Sequence, residues 1–285
     1  MKAFLLMIAM SAPRLVAQEP SVAMKIDLVA WGDDIAGLSL QPGKSSLTAL
    51  AFRYSTPVSY SGPAVIEIYK TGNGETRKLP EPSAEDLEHQ LKPLIAEESK
   101  PAPGEAAKPK QGLALELEKR REKNPTLVAL AALPGSGCRR ATILLAPAGG
   151  GTFTTYVIDD DPSKLPMGQL RVHNLSPFDI ALRCDSKLNK ELKTRESFLV
   201  PIQNQQLIYE LAYKLDDEWK AQENNIIPVR ATEQSQMIIL KSSNSFFLST
   251  DGASGGFLQC VVLRRNPAQQ AAAEAAEQAA GKGRL

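Results

Sequence analysis

The stretch that decides the fold is Leu207-Ile208-Tyr209-Glu210-Leu211-Ala212-Tyr213. Tyr209, Leu211 and Tyr213 fall on every second position, the spacing that puts side chains on one face of a β-strand. Working outward, the same brevity and alternation recur on both sides. Leu170 and Val172 alternate with Arg171 and His173, and Phe178–Cys184, Ser197–Val200, Gln236–Lys241, Ser245–Ser249 and Phe257–Leu263 read as further strands. Seven short strands in roughly 100 residues is the spacing of an all-β sandwich. The turn after Ser249 is the best marked, with Asp251-Gly252 and Gly255-Gly256 supplying hairpin chemistry.

The first half repeats the pattern. Met24, Ile26, Leu28 and Ala30 alternate, as do Leu50, Phe52 and Tyr54, and Ile66 and Ile68 flank Glu67. Gln41-Pro42-Gly43, Ser61-Gly62-Pro63 and Thr71-Gly72-Asn73-Gly74 separate these runs as turns. Leu127–Ala132, Thr142–Leu145 and Thr152–Ile158 follow. Asp159-Asp160-Asp161-Pro162-Ser163-Lys164-Leu165-Pro166 is polar, holds two prolines and reads as a linker between two strand-rich halves.

Three segments break the pattern. Lys2 followed by the apolar run Ala3–Ala12, with a small residue at Ala17, reads as a secretory signal over residues 1–17, too short to span a bilayer. Residues 75–124 are charged and proline-punctuated, an insertion in the first domain. Its centre, Lys100–Lys110, has the composition of a mobile tether. Within it Ser83 begins one helical pattern that Pro93 interrupts, and Leu113–Lys123 fits a second short helix with basic residues near its C-terminal end. Residues 266–285 form an alanine-rich tail, helical by propensity but without an apolar stripe to dock.

The 285 residues are 43% apolar, enough for a true core, and aromatics are sparse at 6%. Thirty-three basic and 32 acidic residues give a net charge of +1, which supplies no field to attract nucleic acid or an anionic membrane. Cleavage after Ala17 would remove Lys2 and Arg14 and bring the balance to −1. An exported chain is allowed a disulfide. Of the three cysteines, Cys184 shares parity with Ile180 and Leu182, and Cys260 with Leu258 and Val262, so both thiols face a core and a Cys184–Cys260 bridge is geometrically open. The alternative is that each is a small buried hydrophobe.

Each chemical motif has a structural explanation. Gly37 to Gly43-Lys44-Ser45 has five intervening residues where a phosphate loop needs four, and a strand follows where a helix is required. Gly252-Ala253-Ser254-Gly255-Gly256 matches a nucleophile elbow, but the next segment is β. The only histidines are His89, in the insertion, and His173. Asp159-Asp160-Asp161 offers oxygen ligands to calcium, but three adjacent aspartates in extended chain diverge, which favours a solvated linker. No zinc-ligand spacing is present, and no cofactor is implied. Trp31 beside Asp33 and Asp34, and Trp219 beside Asp216, Asp217 and Glu218, each combine an aromatic platform with carboxylates, the composition of a sugar subsite. Each also fits a polar turn with a tryptophan covering a sheet edge.

The run Leu165-Pro166-Met167-Gly168-Gln169-Leu170-Arg171-Val172-His173-Asn174-Leu175-Ser176-Pro177 resembles the opening strand of uncharacterised immunoglobulin-like domains in exported bacterial proteins. Tyr156-Val157-Ile158-Asp159-Asp160 is similar to the segment before that strand, and the resemblance covers about Thr152 to Arg265. It implies a β-sandwich and an envelope location, and it carries over no catalytic residue.

The sequence therefore predicts a mainly β protein of two immunoglobulin-like β-sandwich domains, residues 18–160 and 166–265, exported to the periplasm, cell surface or exterior. The expected role is a non-catalytic structural or protein-interaction module with another envelope protein as partner and no membrane span in the mature chain. A carbohydrate-binding module for envelope or extracellular glycan, using Trp31 or Trp219, is the alternative. A hydrolase would need Ser254 within reach of His173. The insertion 75–124 is read either as a partner-contacting element or as a dispensable loop.

Overall fold

Where a strand is covered on both faces, its alternation gives way to a continuous apolar run. Leu28–Ala30, Ile143–Leu145 and Met237–Leu240 are such runs, and they lie in the strands around which both halves are organised. The structure, a computed structural model, describes residues 21–41, 46–70, 112–135, 137–185, 187–241, 257–268 and 271–272. The signal segment 1–17, residues 75–111 of the insertion, the Ser245–Ser249 run, the Ser254 motif and most of the alanine-rich tail lie outside these residues. The chain is mainly β. Among the described residues no helix is long and apolar enough to cross a membrane.

The first half contains β1 (Ser21–Ala30), β2 (Ile35–Ser39), β3 (Leu47–Ala51), β4 (Val58–Pro63), β5 (Val65–Lys70), β6 (Leu127–Ala132), β7 (Arg140–Ala148) and β8 (Thr152–Asp159). They hydrogen-bond in the order β6-β5-β2-β3-β1-β7-β8, with β4 on the N-terminal half of β1. The path curls until its end strands meet, where Thr155 Oγ1 donates to the Leu130 carbonyl at 2.6 Å. Inside lie Ile26, Leu28, Leu38, Ile66, Ile68, Ala129, Ile143 and Leu145. β1 pairs in parallel with both β7 and β3, whereas hairpin-built sandwich sheets are antiparallel.

The second half contains β9 (Leu170–Asn174), β10 (Ile180–Cys184), β11 (Leu188–Leu192), β12 (Ser197–Val200), β13 (Gln206–Leu215), β14 (Glu218–Pro228), β15 (Gln234–Lys241) and β16 (Leu258–Arg265). Two four-stranded sheets, β11-β10-β13-β14 and β12-β9-β15-β16, send their apolar residues into one core. Leu207, Tyr209 and Leu211 face it as their alternation predicts, and Tyr213 stacks on Phe257 at 4.7 Å. The β9–β15 pair is parallel. The Pro166-Met167-Gly168 turn needs its glycine: φ is 72°, and a Cβ there would sit 3.3 Å from the Ala231 Cα.

The helix Leu113–Lys123, α1, has the bounds that the sequence predicts, with Arg120, Arg121 and Lys123 in its last turn. It is not a loose part of the insertion. Leu117 is buried with Tyr69, Leu127 and Leu130, and Arg120 bonds both Glu116 at 2.8 Å and Glu67 at 2.6 Å. A second expectation is corrected at Leu50-Phe52-Tyr54. The strand ends at Ala51 and Phe52 takes a left-handed φ of 52°. Phe52 and Tyr54 then join the layer between the halves rather than one strand face.

That layer holds Val29, Trp31, Leu144 and Ile158 from the first half and Ile238, Leu240 and Leu263 from the second. The stretch Asp159–Asp161 runs into it rather than out to solvent. Asp160 and Asp161 are buried, which corrects the reading of a solvated linker. The reason is charge pairing. Asp160 Oδ2 takes Arg265 Nη2 at 2.6 Å and Thr142 Oγ1 at 2.7 Å. Asp161 takes Arg139 and caps the turn at Ser163. Asp159 turns to Lys164 and to the Cys138 thiol.

Candidate functional site

Trp31 and Trp219 come to opposite ends. Trp31 is 5% exposed, edge-on to Phe52 with ring centroids 5.5 Å apart, so it is not a platform for a ligand. That corrects its assignment as a ligand-contacting residue. Asp34 is spent locally, its Oδ1 accepting the Ala51 N–H at 2.6 Å. Trp219 is 43% exposed and lines a groove of about 830 Å3 on the outer face of the β11-β10-β13-β14 sheet.

Two local features place Trp219 there. Asp216 and Asp217, with φ of 51° and 65°, form a two-residue turn joining β13 to β14. Two successive positive φ values define the tight hairpin turn that suits strand twist, and aspartate tolerates that region better than most residues. Trp219 is thus the second residue of a strand, opposite Lys214, rather than part of the turn. A bulge follows, because Leu211 pairs with Glu223 while Ala212 pairs with Ala221. The extra residue switches the parity of β14. Trp219 and Ala221 point outward before the bulge, and Asn224 and Ile226 point outward after it. Glu223 turns inward and accepts a hydrogen bond from the Tyr209 hydroxyl.

The floor of the groove sets a charged pair among small apolar residues, Ala181, Ala212 and Ala221. Arg183 and Glu210 are directly opposed on β10 and β13 and form an ion pair. Lys190, Asn189 and Glu191 of β11 line one side, and Gln222 and Asn224 line the other. Both members of the Arg183–Glu210 pair are about half exposed, so the pair contributes well under about 1 kcal/mol to folding. Ile208 and Ile226, opposite each other, extend the same face with 40% and 55% exposure. Indole, guanidinium, amide and carboxylate groups on an open sheet offer stacking and hydrogen bonding.

The remaining predicted residues go elsewhere. His173 is buried in the layer between the halves, with Nε2 2.8 Å from Gln236 Oε1. Gln236 Nε2 donates to Asp160 Oδ1 at 2.7 Å and to the Tyr54 hydroxyl at 3.0 Å. Its amide orientation is thereby set, so His173 carries its proton on Nε2. Burial pushes the His173 imidazole down to about 4 and keeps it neutral. Cys184 and Cys260 both face the second core, as their parity predicts, and both are free thiols, as is Cys138. The carboxylates of Asp159, Asp160 and Asp161 diverge to three different partners, so they do not form one cation site.

Sequence reasoning missed the buried charges. Asp27 is fully buried and accepts from Nε and Nη2 of Arg140, at 2.6 and 3.0 Å, together with Nη2 of Arg265 at 3.0 Å. The Arg265 guanidinium also lies 4.0 Å from the centre of the Tyr54 ring. Burial works against its charge, but Tyr54, Asp160 and Asp27 together hold it more firmly protonated than a free arginine. Burial, the neighbouring Asp160 and Asp27 together push the Tyr54 phenol far above its ordinary range.

No protein-family model matches the chain, and no curated protein matches it.

Proposed function

We propose that the protein is a non-catalytic, exported interaction module of the cell envelope or its surroundings, which seats an envelope protein on the outer face of β11-β10-β13-β14. The observation that carries this reading is the exposure of Trp219, Ile208 and Ile226 together on one sheet face. An outward sheet face in water normally alternates toward polar residues, and clustered large apolar groups there mark contact surfaces. Aromatic anchors with a polar rim are the usual composition of such a surface. The apolar leader at residues 3–12 supports export, and the resemblance around Leu165–Pro177 supports an envelope setting. The two sheets around one core support reading residues 166–265 as an immunoglobulin-like β-sandwich, whereas the single curled, partly parallel sheet of the first half departs from the two-sheet sandwich expected within 18–160.

The test is capture from native envelope with the mature protein, run in parallel with Ile226→Lys and Trp219→Ala. A protein held by the wild type and lost by both variants is the expected result. Capture that both variants leave unchanged overturns the assignment of this face.

Trp219 favours a second reading, a glycan-binding module. Its exposed indole lines the same groove as Asn189, Asn224, Glu210 and Arg183, groups able to bond sugar hydroxyls. Affinity electrophoresis through envelope polysaccharide checks it. Retardation abolished by Trp219→Ala supports glycan binding, and free migration of the wild type sinks it.

A further inference from the structure

We propose that the cleft between the two halves binds a compact oxyanion, a phosphate or carboxylate group, held by Arg171 and Arg195. The cleft, about 480 Å3, is walled by Thr155–Asp159 of β8, by Arg171 and His173 of β9, and by Arg195 and Ser197 at the entry to β12. Its lining holds three cations, Lys164, Arg171 and Arg195, and one carboxylate, Asp159. Lys164 pairs with Asp159, so those two charges cancel locally. Among the described residues, two guanidiniums are left facing the same space without a carboxylate of their own.

Each guanidinium is positioned differently. Arg171 is aimed from behind, one Nη2 donating to the Lys164 carbonyl. A guanidinium has five N–H donors in a fixed fork, so most remain for a ligand. Arg195 makes no side-chain hydrogen bond or ion pair among the described residues. The adjacent carboxylate, Glu196, is occupied, its Oε2 accepting the Lys193 N–H at 2.9 Å. Arg195 has a left-handed φ of 69°, unusual for a residue with a side chain, and its N–H is fixed to the Asn174 carbonyl at 2.6 Å. Such a backbone is strained for an L-residue, and strained residues of this kind cluster at ligand clamps. The Tyr156 phenol also feels the Arg195 charge, which acts against the upward push of burial. The exposed Ser197 hydroxyl adds a neutral donor beside the two arginines.

The recognition chemistry is therefore that of a planar or tetrahedral oxyanion meeting two forks, which arginine performs better than lysine. His173 takes no part in holding the charge, since its one proton goes to Gln236. The source of the anion, phosphate ester or carboxylic acid, is left to the probe.

The test is amide NMR titration of the mature protein with inorganic phosphate, and separately with citrate, at constant ionic strength. Saturable shifts centred on Arg171, Arg195 and Ser197 are expected for at least one probe. Arg195→Gln and Arg171→Gln should each weaken binding roughly tenfold, as loss of a charge-assisted fork does. Arg53→Gln, at an exposed arginine that lines neither the cleft nor the outer groove, should leave it unchanged. Arg195→Lys, which keeps the charge and removes the fork, should fall between wild type and Arg195→Gln. The probe that saturates names the ligand source. Linear, unsaturating shifts with both probes overturn the proposal, as does saturation that Arg195→Gln and Arg171→Gln leave intact.

Discussion

Arg265 and Asp27 lie 238 residues apart in the chain and are joined by a 3.0 Å hydrogen bond between Nη2 and Oδ2. The bond links the last strand of the second half to the first strand of the first half. Arg140 completes the charge on Asp27, and Asp160 completes that on Arg265, so two arginines and two aspartates balance inside the layer. A buried ion pair adds little stability over an apolar replacement, but removing one partner strands the others. Arg265→Met should therefore destabilise the protein by about 3 kcal/mol or more, read as a lower urea midpoint. Arg183→Gln, which breaks the exposed pair with Glu210, should cost less than about 1 kcal/mol. If the two variants unfold at the same midpoint, the buried network does not hold the halves together.

Much of the strand pattern was legible because single-face burial writes itself as alternation. Leu127–Ala132 and Ser197–Val200 were read with the bounds the structure shows, and α1 likewise. Ile35–Ser39, a short buried interior strand, goes unread, and Ser61-Gly62-Pro63, expected to be a turn, is instead the end of a strand paired with Ser21–Ala23; the other two unread strands are polar edges. Leu188–Leu192 buries only Leu192, and Glu218–Pro228 buries only Ile227. With a single buried position each, neither strand carries a period-2 signal. The halves' shared layer was illegible for the opposite reason. Asp27 sits between Ile26 and Leu28, where alternation assigns it to solvent, and nothing local reveals that Arg140 and Arg265 cover it. Trp31 and Trp219 look alike in sequence, each beside acidic residues. Only the packing of a second sheet over β1 distinguishes them.

The two indoles give an optical check on that packing. Wild-type fluorescence should divide into a shielded component from Trp31 and an iodide-quenchable one from Trp219, given their 5% and 43% exposure. Trp219→Phe should leave a blue-shifted emission that iodide barely quenches. Emission from that variant as quenchable as the wild type would mean that the layer around Trp31 is open.

Thiol titration addresses Cys184 and Cys260. Burial raises the Cys138 and Cys184 thiols to about 11, and burial together with Glu223 raises Cys260 further. Since the thiolate is the nucleophile, all three should react slowly with a disulfide reagent at pH 8 in the native protein. In denaturant without reductant, three thiols per chain should react, because all three are free. A count of one would show that two of the three are bridged, and loss of that difference in Cys184→Ser but not in Cys138→Ser would assign the bridge to Cys184 and Cys260.

The buried imidazole gives a pH dependence whose sign is determined. Unfolded, His173 titrates near 6.5, and folded it titrates near 4, because burial opposes its charge more than the Gln236 bond favours it. Between those values the unfolded chain binds more protons, so stability falls as pH falls through that window and is fully present above it. The shift corresponds to roughly 3 kcal/mol at its limit. Protonation would also set a second N–H beside the Arg171 charge, so acid should loosen the layer around Gln236. Urea midpoints measured from pH 7 to pH 4 should decline in the wild type. His173→Gln, which cannot titrate, should start lower at pH 7 and show a shallower decline. Parallel declines in the two proteins would assign the acid sensitivity to other groups and remove His173 from the account.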